Sequence, residues 1–247
     1  MKQYTFDEFM DIIKTLRSDN GCPWDREQTH ESLVPCIREE AYEVIDAIHR
    51  CDTENLREEL GDVLLQVAMH SVIGEEKHEF DISDVISGVS EKMIRRHPHV
   101  FRDAVAANSE DVVSSWEEIK RQEHNEKSVS ESMIHVPRAL PACIRAEKVL
   151  KKAAKSGYET GDRQSVLAKV SSALKTLAES SVEDDQARIE ENYEELVFQA
   201  VNLSRFLQLN AENSLTNATD KFINRFVSVE RSAKSDGLDL KDMSVNE

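Results

Sequence analysis

The sequence predicts an all-α protein made of two tandem helical domains, each a helical bundle, and three observations lead there. Only 7 Gly and 5 Pro occur in 247 residues, few turn-makers for so long a chain. No segment alternates apolar and polar residues with period two, the mark of a half-buried strand. Apolar residues recur instead every three to four positions over long runs, as on the buried stripe of an amphipathic helix.

The elements follow in order. Thr5 and Glu8 have capping-box spacing, and Phe9, Met10, Ile12, Ile13 and Leu16 carry a helix from there to about Arg17. "SDNGCPWD" is a break punctuated by Gly21 and Pro23. A second helix runs from about Glu31 to Arg50 on Leu33, Ile37, Ala41, Val44, Ile45 and Ile48. Asp52 or Thr53 caps a third, striped by Leu56, Leu60, Leu64, Val67, Ala68 and Val72. Asp81 begins a fourth, which Pro98 stops after Arg96, and a helix from Asp111 to Arg121 carries Trp116. "HNEKSVSESMIHVP" is polar and weakly patterned, so 124–136 reads as a linker between a domain of residues 1–123 and one of 137–236. The second domain repeats the style with helices near 138–155, 163–180, 186–209 and 212–233. Residues 237–247 read as a frayed tail.

Composition narrows the function. Hydrophobic residues are 39% and aromatics 6%, so any core is mainly aliphatic. A net charge of −17, from 48 acids and 31 bases, repels nucleic acid and anionic membranes, so neither is an expected partner. Cys22, Cys36, Cys51 and Cys143 lie far apart and form neither a zinc nor a disulfide framework. With no signal-peptide pattern and no apolar run of membrane-spanning length, a cytoplasmic protein is expected.

Two charge clusters carry chemistry. "IREEAYEVIDAIHR" puts Glu39, Glu40 and Glu43 into an apolar pattern, and "REELGDVLLQV" does the same with Glu59 and Asp62. Residues three apart share a helix face, so Glu40 pairs with Glu43 and Glu59 with Asp62. If the two helices pack antiparallel, these carboxylates converge. Converging carboxylates need a cation, and hard oxygen ligands select Mg²⁺ or Mn²⁺. The alternative is a solvated acidic face, which fits Glu58 better than Glu40 or Asp62, since those two border the stripe. The second cluster, "EKMIRRHPHVF", sets Lys92 and Arg96 on one face with Arg95 beside them, a charge pattern suited to phosphate oxygens. Cations at a helix C-terminus explain one or two of these residues, not all of them. Acids for metal and bases for phosphate point to phosphoryl or nucleotidyl chemistry. No P-loop is present. Trp24, in "NGCPWD", is either a base-stacking residue or a core anchor.

"GCPWDREQT", "EEAYEV", "EELGDVLLQV" and "RRHPHVF", in that order, resemble the MazG family of nucleoside triphosphate pyrophosphohydrolases. The resemblance is dense from about Thr5 to Lys120 and continues more weakly to about residue 233. It implies an all-α fold, usually dimeric, in which helices of two subunits build the active bundle. It also implies Mg²⁺-dependent hydrolysis of NTPs and dNTPs to nucleoside monophosphate and pyrophosphate, with Mn²⁺ as an alternative ion. By this resemblance Glu40, Glu43, Glu59 and Asp62 would ligate the metal, and Glu39 would orient or deprotonate the attacking water. Lys92 and Arg96, with Arg95, would hold the triphosphate.

The second half reads as a degenerate copy. At an offset of 133, Glu58 meets Glu191, Leu64 meets Val197, and Gln66 meets Gln199. The same offset sets Glu39, Glu40 and Glu43 over Ser172, Ala173 and Thr176, Glu59 over Asn192, and Asp62 over Glu195. With slight slippage Lys92 and Arg96 meet Lys221 and Arg225. The helices and the basic pair persist while most of the acids are gone, so catalysis is expected only in the first half.

Two rivals remain. A di-iron carboxylate bundle would use Glu27/His30 and Glu75/His78, but these pairs fall at helix ends. A non-catalytic nucleotide-binding or dimeric scaffold would account for the degenerate half.

Overall fold

The computed structural model describes residues 2–104, 107–158, 161–183 and 185–240. Among them are twelve helices and no strand, as the periodicity predicts. Contacts divide the chain into two units, residues 1–120 and 121–247.

The first unit opens with α1 (Phe6–Arg17). The Thr5 side chain accepts from the Glu8 amide at 3.2 Å, and the Glu8 carboxylate accepts from the Thr5 amide at 2.9 Å, completing the expected capping box. The predicted break contains a short helix, α2 (Pro23–Glu27), started by Pro23 at its first position. Five residues are too few to show periodicity, which is why the sequence pattern misses it. α3 (Val34–His49) and α4 (Thr53–Glu76) form a helical hairpin. Asp52 caps α4 by accepting from the Asn55 amide at 3.1 Å. α5 (Ile82–Arg96) starts at a second capping box built on Asp81 and Asp84. α6 (Pro98–Phe101) follows, and α7 (Ser109–Glu123) runs past the division between the units.

The core of this unit lies at one end of α4. Met10, Ile13, Leu33, Ala68, Met69, Val72 and Ile73 form it, with Phe9, Leu16, Cys36, Leu65 and Ile82 packed around. Arg17 fastens that end. Its guanidinium bonds both Glu76 oxygens at 2.9 and 2.7 Å and donates to the carbonyls of Asp25 and Gln28, which ties α1, α2 and α4 together. Nearby, the His30 and His70 Nδ1 atoms lie 2.8 Å apart with their rings stacked, and Phe80 stacks on His30. Toward the other end the predicted stripe is not covered. Ile37, Ile45, Ile48, Leu60, Leu64, Val89 and Met93 are all more than a third exposed within the single chain.

In the second unit, the segment read as a linker holds α8 (Val129–Ile134). Ser128 caps it, Ser132 and Val136 are buried, and α8 packs on α9 (Ala142–Lys155). The segment is polar overall but contributes enough apolar surface to dock one turn and a half. α10 (Arg163–Glu183) and α11 (Gln186–Phe206) make a second hairpin, and α9 packs on α11 and on α12 (Ala211–Ser235). Gly157 and Gly237 take φ of +77° and +72° just past α9 and α12, the left-handed stop that glycine adopts without strain. Residues 241–247 of the expected tail lie outside the described residues.

Candidate functional site

The α3–α4 hairpin brings the acids together as the spacing requires. One carboxylate oxygen from each of Glu40, Glu43 and Glu59 lies within 4.8 Å of the other two. Glu59 is only 9% exposed, Glu40 and Asp62 are half-buried, and Glu39 and Glu43 are exposed. Burial, then the charges of Asp62 and Glu43, the carboxyl contact with Glu43, and the Glu39 charge push the Glu40 carboxyl above its ordinary range. Burial, then the charge and carboxyl contact of Glu43, followed by the charges of Asp62 and Glu40, does the same to Glu59. The charges bearing most on this pair are thus all negative. Carboxylates crowded in this way repel one another, and a cation between them would offset that repulsion.

The donor set is wholly carboxylate oxygen. It fits Mg²⁺ or Mn²⁺, and it lacks the nitrogen or sulfur ligands of a zinc site. Glu40, Glu43 and Glu59 would hold the ion, with Asp62 one turn along α4 from the cluster. Glu39 sits at its edge, exposed and close enough for its charge to bear on Glu40.

The basic residues share α5 but differ in setting. Lys92 and Arg95 are exposed. Arg96 is 7% exposed, and its guanidinium lies 4.8 Å from the centre of the Trp116 ring, with the Lys120 Nζ 5.6 Å from the same ring. The stack fixes the direction of the guanidinium, a detail that no helical spacing announces because Trp116 is on another helix. Trp24 is 60% exposed on α2 and is therefore not a core anchor. The di-iron pattern does not form. Glu75 pairs with Lys14 at 2.8 Å, His78 has left the helix with φ of +58°, and His30 is engaged with His70.

In the second unit the positions matched by the offset of 133 come together. Thr176, Asn192 and Glu195 line one open cleft between α10 and α11 of about 660 Å³. A helical hairpin forms there, with Thr176 and Asn192 at positions matched to Glu43 and Glu59.

Residues 28–101 match the family model described as the MazG nucleotide pyrophosphohydrolase domain. The chain is 40% identical over 237 residues to the nucleoside triphosphate pyrophosphohydrolase of Escherichia coli strain K12, spanning 95% of this chain and 90% of that protein. The chain belongs to the MazG family. It is also 41% identical over 240 residues to the nucleoside triphosphate pyrophosphohydrolase/pyrophosphatase MazG of Thermotoga maritima, over 97% of this chain and 91% of that one. The uncharacterized protein YabN of Bacillus subtilis is 44% identical over 99% of this chain, which corresponds to 50% of its own length. The stretch matched to the MazG model contains all five acids and Lys92, Arg95 and Arg96, whereas Trp24 and the second half lie outside it.

Proposed function

We propose that this MazG protein is a nucleoside triphosphate pyrophosphohydrolase that requires Mg²⁺ or Mn²⁺ and works in its first half. It would cleave NTPs and dNTPs to nucleoside monophosphate and pyrophosphate. The observation that carries the reading is the convergence of the Glu40, Glu43 and Glu59 carboxylates, two of them with proton affinity raised by burial and by neighbouring acid charges. The names of the Escherichia coli and Thermotoga maritima relatives call those proteins nucleoside triphosphate pyrophosphohydrolases.

A divalent ion in this site would polarise the α-phosphate and make the attacking water more acidic. Glu40, Glu43, Glu59 and Asp62 would bind it. Glu39, exposed at the edge of the cluster, would orient the water and take its proton. Lys92 and Arg95 would hold the triphosphate from α5. Arg96 would join them from its fixed position against Trp116, stabilising charge on the departing pyrophosphate. Trp24, exposed on a helix that Arg17 holds in place, is available to stack on the base.

The working form is a homodimer. Ile37, Ile45, Leu60 and Leu64 flank the acids yet stay exposed in one chain, as do Val89 and Met93 on the basic helix. A second copy would cover them and close the bundle. The net charge of −17 disfavours a nucleic-acid partner. No described helix is long and apolar enough to cross a membrane, and the four free cysteines accord with a cytoplasmic setting.

Incubating the full-length protein with each NTP and dNTP, with and without Mg²⁺, tests the reading. Pyrophosphate should appear first and only with the ion. Orthophosphate and nucleoside diphosphate as initial products would overturn it.

A further inference from the structure

One buried polar side chain beside the acid site has no part in the reaction as proposed. The inward stripe of α4 runs Ile73, Met69, Gln66, Asp62, Glu59, each three or four residues from the next. Ile73 and Met69 belong to the core, and Asp62 and Glu59 to the acid set. Gln66 stands where the one gives way to the other. It is 6% exposed, and its carbonyl oxygen Oε1 is buried without a hydrogen-bond partner. A buried acceptor left unpaired costs stability, and a methionine of the same length would remove that cost. Packing alone therefore does not account for a carboxamide at this position.

The second unit shows what such a carboxamide does at this spacing. Gln199, which meets Gln66 at the offset of 133, donates from Nε2 to Oε1 of Glu195 at 2.8 Å. Glu195 is the residue that meets Asp62, so both glutamines follow the matched acid by one helical turn. Asp62 is one methylene shorter, and among the described residues it shares no hydrogen bond with Gln66.

We propose that Gln66 is a positioning residue of the acid site: with a divalent ion held there, its Nε2 donates to Asp62 and its Oε1 accepts from the water that the ion keeps. The inference rests on the proposed function, since it needs the acids to bind an ion. Carboxylates that ligate a metal are themselves hydrogen-bonded, and those bonds fix their orientation. Asp62 lies one turn from the Glu40, Glu43 and Glu59 cluster, so it is the acid whose orientation matters most. Mg²⁺ gives up its water reluctantly, and that water needs acceptors. A neutral carboxamide supplies one without adding negative charge to a crowded set. Another acid in its place would add to the repulsion already felt by Glu40 and Glu59.

The test uses the full-length protein and Mn²⁺, with the free ion measured by electron paramagnetic resonance. Gln66→Met should weaken Mn²⁺ binding by about 10–100-fold, while the ion-free variant melts no lower than wild type. A side chain that served only packing would lose melting temperature and keep its affinity. Gln199→Met should leave Mn²⁺ binding unchanged. A Gln66→Met protein that binds Mn²⁺ as tightly as wild type would overturn the inference. Wild-type protein gives a second reading that does not depend on how the variant folds. Its Gln66 side-chain amide signals, assigned through the backbone by nuclear magnetic resonance, should shift as Mg²⁺ saturates the site, and signals that stay in place would also overturn it. A wild type that binds neither ion removes the proposed function and this inference with it, whereas tight binding indifferent to Gln66→Met removes the inference alone.

Discussion

Single side chains shape the acid cluster of the first half. Glu43 touches both carboxyls whose proton affinity is raised, and it is exposed, so its removal takes no core volume with it. Glu43→Ala and Asp62→Ala should each lower turnover by more than about a hundredfold, beyond the 10–100-fold typical of groups that only support a ligand. Far-ultraviolet circular dichroism should stay unchanged. The raised pair also fixes a pH dependence. A carboxyl with a raised folded-state pKa stabilises the protein below its unfolded value near 4.5, and that contribution is lost as pH rises through the folded value. The metal-free protein should therefore lose stability as pH rises from 4.5 toward 7, and Mn²⁺ should restore more of it at pH 7 than at pH 5. Glu59→Gln should flatten that loss. Thermal melts with and without Mn²⁺ at the two pH values measure each effect, and a Mn²⁺ shift independent of pH would count against the site.

At the scale of elements, local chemistry fixes where helices start and tertiary contact fixes how they lie. The Thr5–Glu8 box makes Thr5→Ala a destabilising change of about 0.5–2 kcal/mol, readable by urea denaturation. Gly74 illustrates the tertiary part. A Cβ placed there would lie 2.8 Å from the Phe80 ring, which also stacks on His30. Gly74→Ala improves helix propensity yet should destabilise by about 1–3 kcal/mol, because the ring must move. Phe80→Ala combined with it should remove the clash, so the two changes should not add.

For the whole molecule, the question is how two similar hairpins came to differ. The first keeps a carboxylate cluster, and the second keeps the cleft with Thr176 and Asn192 at two of the equivalent positions. In an Asp62→Ala background, Thr176→Glu with Asn192→Glu should restore no pyrophosphate release, since the equivalents of Glu39 and Glu40 are Ser172 and Ala173. Restored release would show a second reaction centre. The homodimer is checked by sedimentation, where a fully active monomer would refute it. The uncovered stripe around Leu60, Leu64 and Met93 is the reason to expect a partner.

The sequence by itself determined the all-helical class, most of the helix boundaries and the grouping of the acids. These rest on local rules: periodicity, caps, and the three-residue spacing that puts Glu40 with Glu43 and Glu59 with Asp62. It also offers the match of the two halves at an offset of 133, because each half is spelled out along the chain. It did not show α2 or α8, whose few turns are too short for a pattern and are held by contacts such as Arg17 to Asp25 and Lys152 to Ser132. Nor did it show that Arg96 is buried on Trp116, or that Trp24 is exposed. Periodicity says that a residue belongs to an apolar face, but not whether a single chain covers that face. Only the packing of helices distant in sequence decided that the compact core lies at the Ile73 end of α4 and leaves the apolar flanks of the acid site open. Burial is a property of what lies opposite, and no local spacing carries it.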